Sequence, residues 1–140
     1  VWCRPFDRPT PRITREGGAL HKILLLADEG KIEIVGSGIV LFEASMIDDA
    51  DKRDAVFNLI LKSATIFAEI TGEVEKLAVK LADRCGIGDM DAAHIAAAIN
   101  NNADIFLTTD DEVLKKTRCI SKFGIIVKNP VDYIEGLRNE

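Results

Sequence analysis

The stretch from Gly88 to Asp110, GDMDAAHIAAAINNNADIFLTTD, constrains the fold more than any other part of the chain. Ala92, Ile95, Ala96 and Ile99 recur at helical spacing, Asn100, Asn101 and Asn102 break that pattern, and Asp104 to Leu107 then reads as a buried strand. Thr108, Thr109 and Asp110 fall at the carboxyl end of that strand. In open parallel α/β sheets the ligand crevice lies along the carboxyl ends of the strands, so Asp110 stands where chemistry is expected. Asp91, at the start of the helix, is a second acid at the end of a rigid element. Two fixed carboxylates of this kind suggest a metal site.

The rest of the chain repeats the alternation. Leu20, Ile23, Leu24 and Ala27 form one stripe of a first helix from Arg12 to Ala27 that ends near Gly30. Ile32, Ile34 and Val35 read as a strand. Ser37 can cap a helix through Ile47, although the β-branched pair Ile39 and Val40 also permits a strand there. Asp51 to Lys62 reads as a helix and Thr65 to Ile70 as a short strand. Thr71 caps an amphipathic helix whose buried face is Val74, Leu77, Ala78, Leu81 and Ala82, closed by Gly86. Asp111 to Lys116 suits a short helix, Ile125 to Val127 a last strand, and Asn129 with Pro130 the start of a terminal helix. Strands separated by helices predict an α/β chain with a central parallel sheet covered on both faces, a three-layer α/β/α sandwich.

At 140 residues and 47% hydrophobic, the chain suits one compact domain spanning residues 1–140. A net charge of -5 argues against a protein that coats nucleic acid nonspecifically, which needs a broad basic face. Cys3, Cys85 and Cys119 are odd in number and lack CxxC spacing, so neither a disulfide framework nor a zinc cluster is indicated, and a reducing cytoplasm is the simplest compartment. No apolar run approaches the roughly 20 residues that cross a bilayer, so no membrane partner is expected.

DAAHIAAA at Asp91 to Ala98, followed by AD-IFLTTD at Ala103 to Asp110, resembles the PIN domain family of metal-dependent nucleases. VGSGIVLFEA at Val35 to Ala44 and the late strand followed by KNPVDYI extend the resemblance over essentially the whole chain. It implies a Rossmann-like parallel sheet and an acidic cluster that holds Mg²⁺ or Mn²⁺ and cleaves RNA. Carried over by residue, that cluster is Glu43, Asp91 and Asp110. The family places a first acid at the end of its opening strand. The chain starts at Val1, just beyond where that strand should finish, so the amino terminus reads as trimmed, with strand and acid upstream; a degraded family member is the alternative. Asp7, in the Pro-flanked loop RPFDRP, is not promoted to the role. Many small PIN proteins look like toxins of toxin–antitoxin pairs and often dimerise, which makes an antitoxin and a second copy candidate partners, with Phe57 and Leu61 read either as interface or as core residues.

Hard oxygen donors suit Mg²⁺ or Mn²⁺ better than Zn²⁺, and clustered carboxylates tolerate one another when a dication neutralises them. Each assignment has a structural rival: Asp91 suits the first turn of any helix, and Asp110 can cap the helix that begins at Asp111. Glu43 is read as a metal ligand or as the group that orients the attacking water. His94 shares a face with Asp91 and reads mainly as a hydrogen-bonded packing residue, while Thr108 and Thr109 would steady the acidic loop. Arg4, Arg8, Arg12 and Arg15 gather near the amino terminus, where they either meet RNA phosphates or form a solvated face. The acidic run Asp48, Asp49, Asp51 and Asp54 lacks the Gly and Glu of a calcium loop and reads as capping. A non-catalytic PIN-like protein that binds RNA or another protein is the alternative to a ribonuclease. A nucleotide-binding or phosphoacceptor domain is the weakest reading, because neither GxxxxGK[ST] nor GxGxxG is present.

Overall fold

Thr10 and Pro11 start the first long helix in the way their chemistry favours. The Thr10 side chain accepts from the Ile13 amide, and Pro11 occupies a first-turn position where no amide partner is needed. In the computed structural model, which describes residues 1–138, this helix is α1 (Pro11–Asp28). A short 3₁₀ turn (Arg4–Phe6) precedes it, and Gly30 follows it at φ +77°. The chain then runs through β1 (Val35–Ser37), α2 (Gly38–Ser45), α3 (Ala50–Ser63) and β2 (Ile66–Ala68). After these come α4 (Gly72–Cys85), α5 (Asp89–Asn100), β3 (Ile105–Leu107), α6 (Asp111–Leu114), α7 (Thr117–Ser121), β4 (Ile126–Lys128) and α8 (Pro130–Arg138).

Caps set most of these boundaries. Ser37 accepts from Val40 N, which decides the ambiguous segment after β1 in favour of helix. Thr71 accepts from Val74 N, and Gly86 closes α4 in the left-handed region at φ +66°. Asn129 Oδ1 accepts from Val131 N at the start of α8.

Both strand pairs are parallel. Val35, Gly36 and Ser37 of β1 face Ile66, Phe67 and Ala68 of β2, and Ile105, Phe106 and Leu107 of β3 face Ile126, Val127 and Lys128 of β4. Gly36 is required by this register: a Cβ there would lie 3.0 Å from both the Ala64 Cβ and the Phe67 ring. The fold is therefore α/β, but the expected single central sheet is replaced by two separate two-stranded ladders. Three-residue strands make few ladder bonds, and among the described residues no strand joins the open edges of β1 and β3.

Alternation along the strands still sends side chains to opposite sides. Val35, Phe106 and Val127 pack into the main core with Val74 and Leu81 of α4 and Ala92, Ile95 and Ala96 of α5. Ile34 and Leu107 pack instead against Ala19 and Ile23 of α1 and Ile134 of α8. A third cluster joins Ala44 of α2 to Val56 and Ile60 of α3, with Trp2, Cys3 and Phe57 against it. Phe57 thus belongs to the core, whereas Leu61 is 48% exposed.

The absence of CxxC spacing conceals a covalent link. Cys85, at the end of α4, is bridged to Cys119 in α7 with a Cα–Cα distance of 5.7 Å, and Cys3 is free. This corrects the expectation of unpaired thiols. Pairing depends on two helices meeting in space, and a separation of 34 residues carries no trace of it. With the bridge, cysteine usage no longer favours a reducing compartment. Among the described residues no helix is long and apolar enough to cross a membrane.

Candidate functional site

Asp91 stands in the first turn of α5, where the helix dipole favours a carboxylate. Gly88 is the N-cap, so the first amides of α5 have no side-chain cap, and Asp89 lies inside the helix instead of capping it. Asp91 is half-buried, and its carboxyl is held above the ordinary range. Burial is the largest cause; the charge of Asp110 adds to it, His94 opposes it, and Glu43 adds a smaller push. The charges that act on Asp91 therefore come from three elements: α5, α2 and the loop after β3.

Asp110 is exposed at the carboxyl end of β3. Thr108 N donates to Lys128 O (3.0 Å) and extends the ladder by one residue. The Thr108 hydroxyl, buried at 8% exposure, accepts from Asp110 N (3.1 Å). Asp110 Oδ1 in turn accepts from Glu112 N (2.8 Å), so the residue caps α6, and among the described residues Oδ2 is not engaged in a hydrogen bond. Thr109 contributes its carbonyl, which accepts from Arg12 (2.9 Å).

Glu43 lies on the exposed side of α2, and its Oε1 is hydrogen-bonded to Nε2 of His94. His94 is largely buried, at 13% side-chain exposure, and ties α2 to α5 through this bond. Its partner is thus one of the candidate acids. Among the described residues no three His, Cys, Asp or Glu side chains converge closely enough to hold a metal ion. Glu43, Asp91 and Asp110 share a neighbourhood electrostatically without forming a finished coordination shell.

The amino-terminal arginines divide. Arg8 is exposed. Arg4 donates to Asp7 (3.0 Å) and places Nε 3.0 Å from Glu16 Oε1. Arg12 reaches Glu16 (3.3 Å), makes a two-pronged contact with Asp111 (2.8 and 2.9 Å) and bonds the Thr109 carbonyl. The forks of Arg4 and Arg12, expected to meet RNA phosphate, are engaged by carboxylates of the protein itself. Asp7 also accepts from Lys52 (2.6 Å). Burial pushes its carboxyl up, but the bonds from Lys52 and Arg4 outweigh that and hold it below the ordinary range. Hydrogen bonding to Arg12 likewise holds the Asp111 carboxyl low.

Glu16 and Asp111 went unnoticed in the sequence. The i, i+4 spacing of Arg12 and Glu16 is a readable signal, but nothing local announces Asp111, 99 residues from Arg12. Two apolar grooves lie elsewhere, between α1 and α8, with Lys22 and Ile134 in both and none of the candidate acids in either.

The chain is thus an α/β domain with one acid at a helix start and another at a strand's carboxyl end. The PIN domain model matches residues 13–118, and the chain belongs to the PIN domain family, whose members are commonly nucleases that use divalent metals. No curated protein and no solved structure matches it.

Proposed function

We propose that the protein is a divalent-metal-dependent endoribonuclease that hydrolyses RNA phosphodiester bonds, with Glu43, Asp91 and Asp110 as its acidic centre. The observation that carries this reading is the state of Asp91, whose ionised form is disfavoured by burial and by the charges of Asp110 and Glu43, with His94 alone opposing. A hard dication would relieve that repulsion, and the all-oxygen set favours Mg²⁺ or Mn²⁺. The donors fit the ion by type, while the described residues leave the shell incomplete.

We assign the missing donor to a strand upstream of Val1. The open edges of β1 and β3, and the one main core against which both ladders pack, support this. A parallel strand between them would complete one central sheet and a three-layer α/β/α sandwich, and would bring its own acid to the shared rim of carboxyl ends.

The bound ion would lower the pKa of a water and stabilise charged phosphodiester oxygens. The protein's part is positional. Asp91 and Asp110 offer oxygens from two rigid elements, and His94 holds Glu43 where it either binds the ion or orients the attacking water. Thr108 steadies the Asp110 loop, and Arg8 and Arg15 are the exposed amino-terminal arginines we assign to RNA. A toxin role with an antitoxin partner and a homodimer involving Leu61 extend the same reading. A non-catalytic PIN-like RNA- or protein-binding domain is the second reading, favoured by the incomplete donor set.

The test is RNA cleavage with Mn²⁺ and then Mg²⁺ by this chain, by a version extended upstream of Val1, and by the extended version with Asp91→Asn. Cleavage by the extended protein that is lost in Asp91→Asn is expected. No cleavage by any folded version would favour the binding reading.

A further inference from the structure

We infer that Arg12 is a positioning residue for Asp110, gripping the residues on both sides of that carboxylate and fastening their loop to α1. One face of the grip is the Thr109 carbonyl, 2.9 Å from Nη2; the other is the Asp111 carboxylate, met by Nη1 at 2.8 Å and Nη2 at 2.9 Å. Asp110 lies between the two held residues. A planar guanidinium can make these contacts together because its donors are set in a rigid fork, whereas an ammonium is a single point of charge.

The fork is itself braced. Arg12 Nε donates to Glu16 Oε2, one turn further along α1. Glu16 is 1% exposed, a rare place for a carboxylate, and it is held from two other directions. Asn129 Nδ2 donates to it at 2.6 Å, and Arg4 Nε lies 3.0 Å away. Asn129 follows β4 and caps α8, so the brace reaches the neighbouring strand of the ladder whose carboxyl end carries Asp110.

Asp110 keeps its own contacts to Thr108 and Glu112, which fix the turn locally. Arg12 fixes where that turn sits relative to α1. Groups that orient a metal's ligands commonly change affinity by about 10–100-fold when removed. The inference rests on the metal reading of Asp110, and its test separates the two.

The experiment measures Mn²⁺ affinity of the full-length protein from the paramagnetic resonance signal of free Mn²⁺, together with amide hydrogen exchange across residues 109–113. Arg12→Ala, Arg12→Lys, Asp111→Asn, the Arg12→Ala/Asp111→Asn double variant and Asp110→Asn are compared with wild type. Arg12→Ala also removes a partner of buried Glu16 and can disturb folding. Asp111→Asn, at an exposed site, takes the charge from one side of the grip without that risk. Arg12→Ala and Asp111→Asn are each expected to weaken Mn²⁺ binding about tenfold and to speed exchange at Asp110 and Glu112. The double variant should be no worse than either single one, and Arg12→Lys should recover little, since it cannot hold both sides. Affinities within about twofold of wild type in Arg12→Ala and Asp111→Asn, beside lost binding in Asp110→Asn, would overturn the role of Arg12 alone. Unchanged binding in Asp110→Asn as well would bring down the metal reading beneath it.

Discussion

Reducing or removing the Cys85–Cys119 bridge should cost this protein a large part of its stability. The bridge closes a loop of 34 residues that contains α5, β3 and α6, and therefore Asp91, His94 and Asp110. Cross-linking residues 34 apart removes loop-closure entropy from the unfolded chain, worth about 3.8 kcal/mol at 25 °C in the chain-entropy model. For a 140-residue domain each kcal/mol moves the thermal midpoint by roughly 3 °C, so a fall of about 10 °C is expected. Cys119→Ser is the better variant. Cys119 is half-buried, whereas Cys85 lies in the main core at 3% exposure, where a serine hydroxyl would add a cost of its own. Urea unfolding of wild type and Cys119→Ser, each with and without excess dithiothreitol, gives the answer. The variant should lose about 3–4 kcal/mol under oxidising conditions, and wild type should fall to the variant's level when reduced. A difference below about 1 kcal/mol in oxidising buffer, or one that persists under reduction, would refute the reasoning.

Three further outcomes follow from particular contacts. Asp7 has a depressed carboxyl in the fold, so the stability it contributes is fully present above the unfolded value near ~3.9 and is lost as pH falls through the lower folded value. Asp7→Asn should therefore flatten the acid limb of a urea-midpoint profile taken from pH 6 downward. Gly36→Ala should destabilise by about 1–3 kcal/mol, because the new methyl meets Ala64 Cβ and the Phe67 ring at 3.0 Å, and Phe67→Leu should recover part of the loss in thermal unfolding. Ile95→Ala, at a fully buried position in the main core, should cost about 2–5 kcal/mol in the same assay.

Local chemistry made the helices legible. The caps Thr71, Ser37 and Asn129 and the stops Gly30 and Gly86 are read one residue at a time, and each acts within a turn or two. The apolar stripe of α5 is likewise visible, since Ala92, Ile95 and Ala96 are all fully buried. Strands were less legible. Ile32 and Ile34 look like strand residues, yet they pack against α1 and α8 before the ladder begins at Val35. Sheet continuity was beyond reach because it depends on which edges meet, and no residue type encodes that. Helix α7 passed unnoticed within a polar stretch that carries no apolar stripe.

The candidate site shows the same division. Asp91 and Asp110 were found from their places at the ends of α5 and β3, and both also fill the structural roles weighed against them: a first-turn acid and the cap of α6. The two readings are compatible, since a cap uses one oxygen of Asp110 and leaves the other. Contacts made across the chain were hidden. His94 meets Glu43 51 residues away, and the two-sided hold of Arg12 on the Asp110 loop spans nearly the whole domain. Charge pattern shows that arginines are present and is silent about which carboxylate they meet.

The central claim is that Asp91, Asp110 and Glu43 form one charge-sharing site suited to a divalent cation. The direct measurement is a ¹³C-carboxyl NMR titration of Asp91, in metal-free buffer and with Mg²⁺, in wild type and Asp110→Asn. The account predicts a metal-free midpoint above the ordinary aspartate range, a lower midpoint in Asp110→Asn, and a clear drop when Mg²⁺ is added to wild type. An ordinary midpoint that neither Asp110→Asn nor Mg²⁺ moves would contradict it.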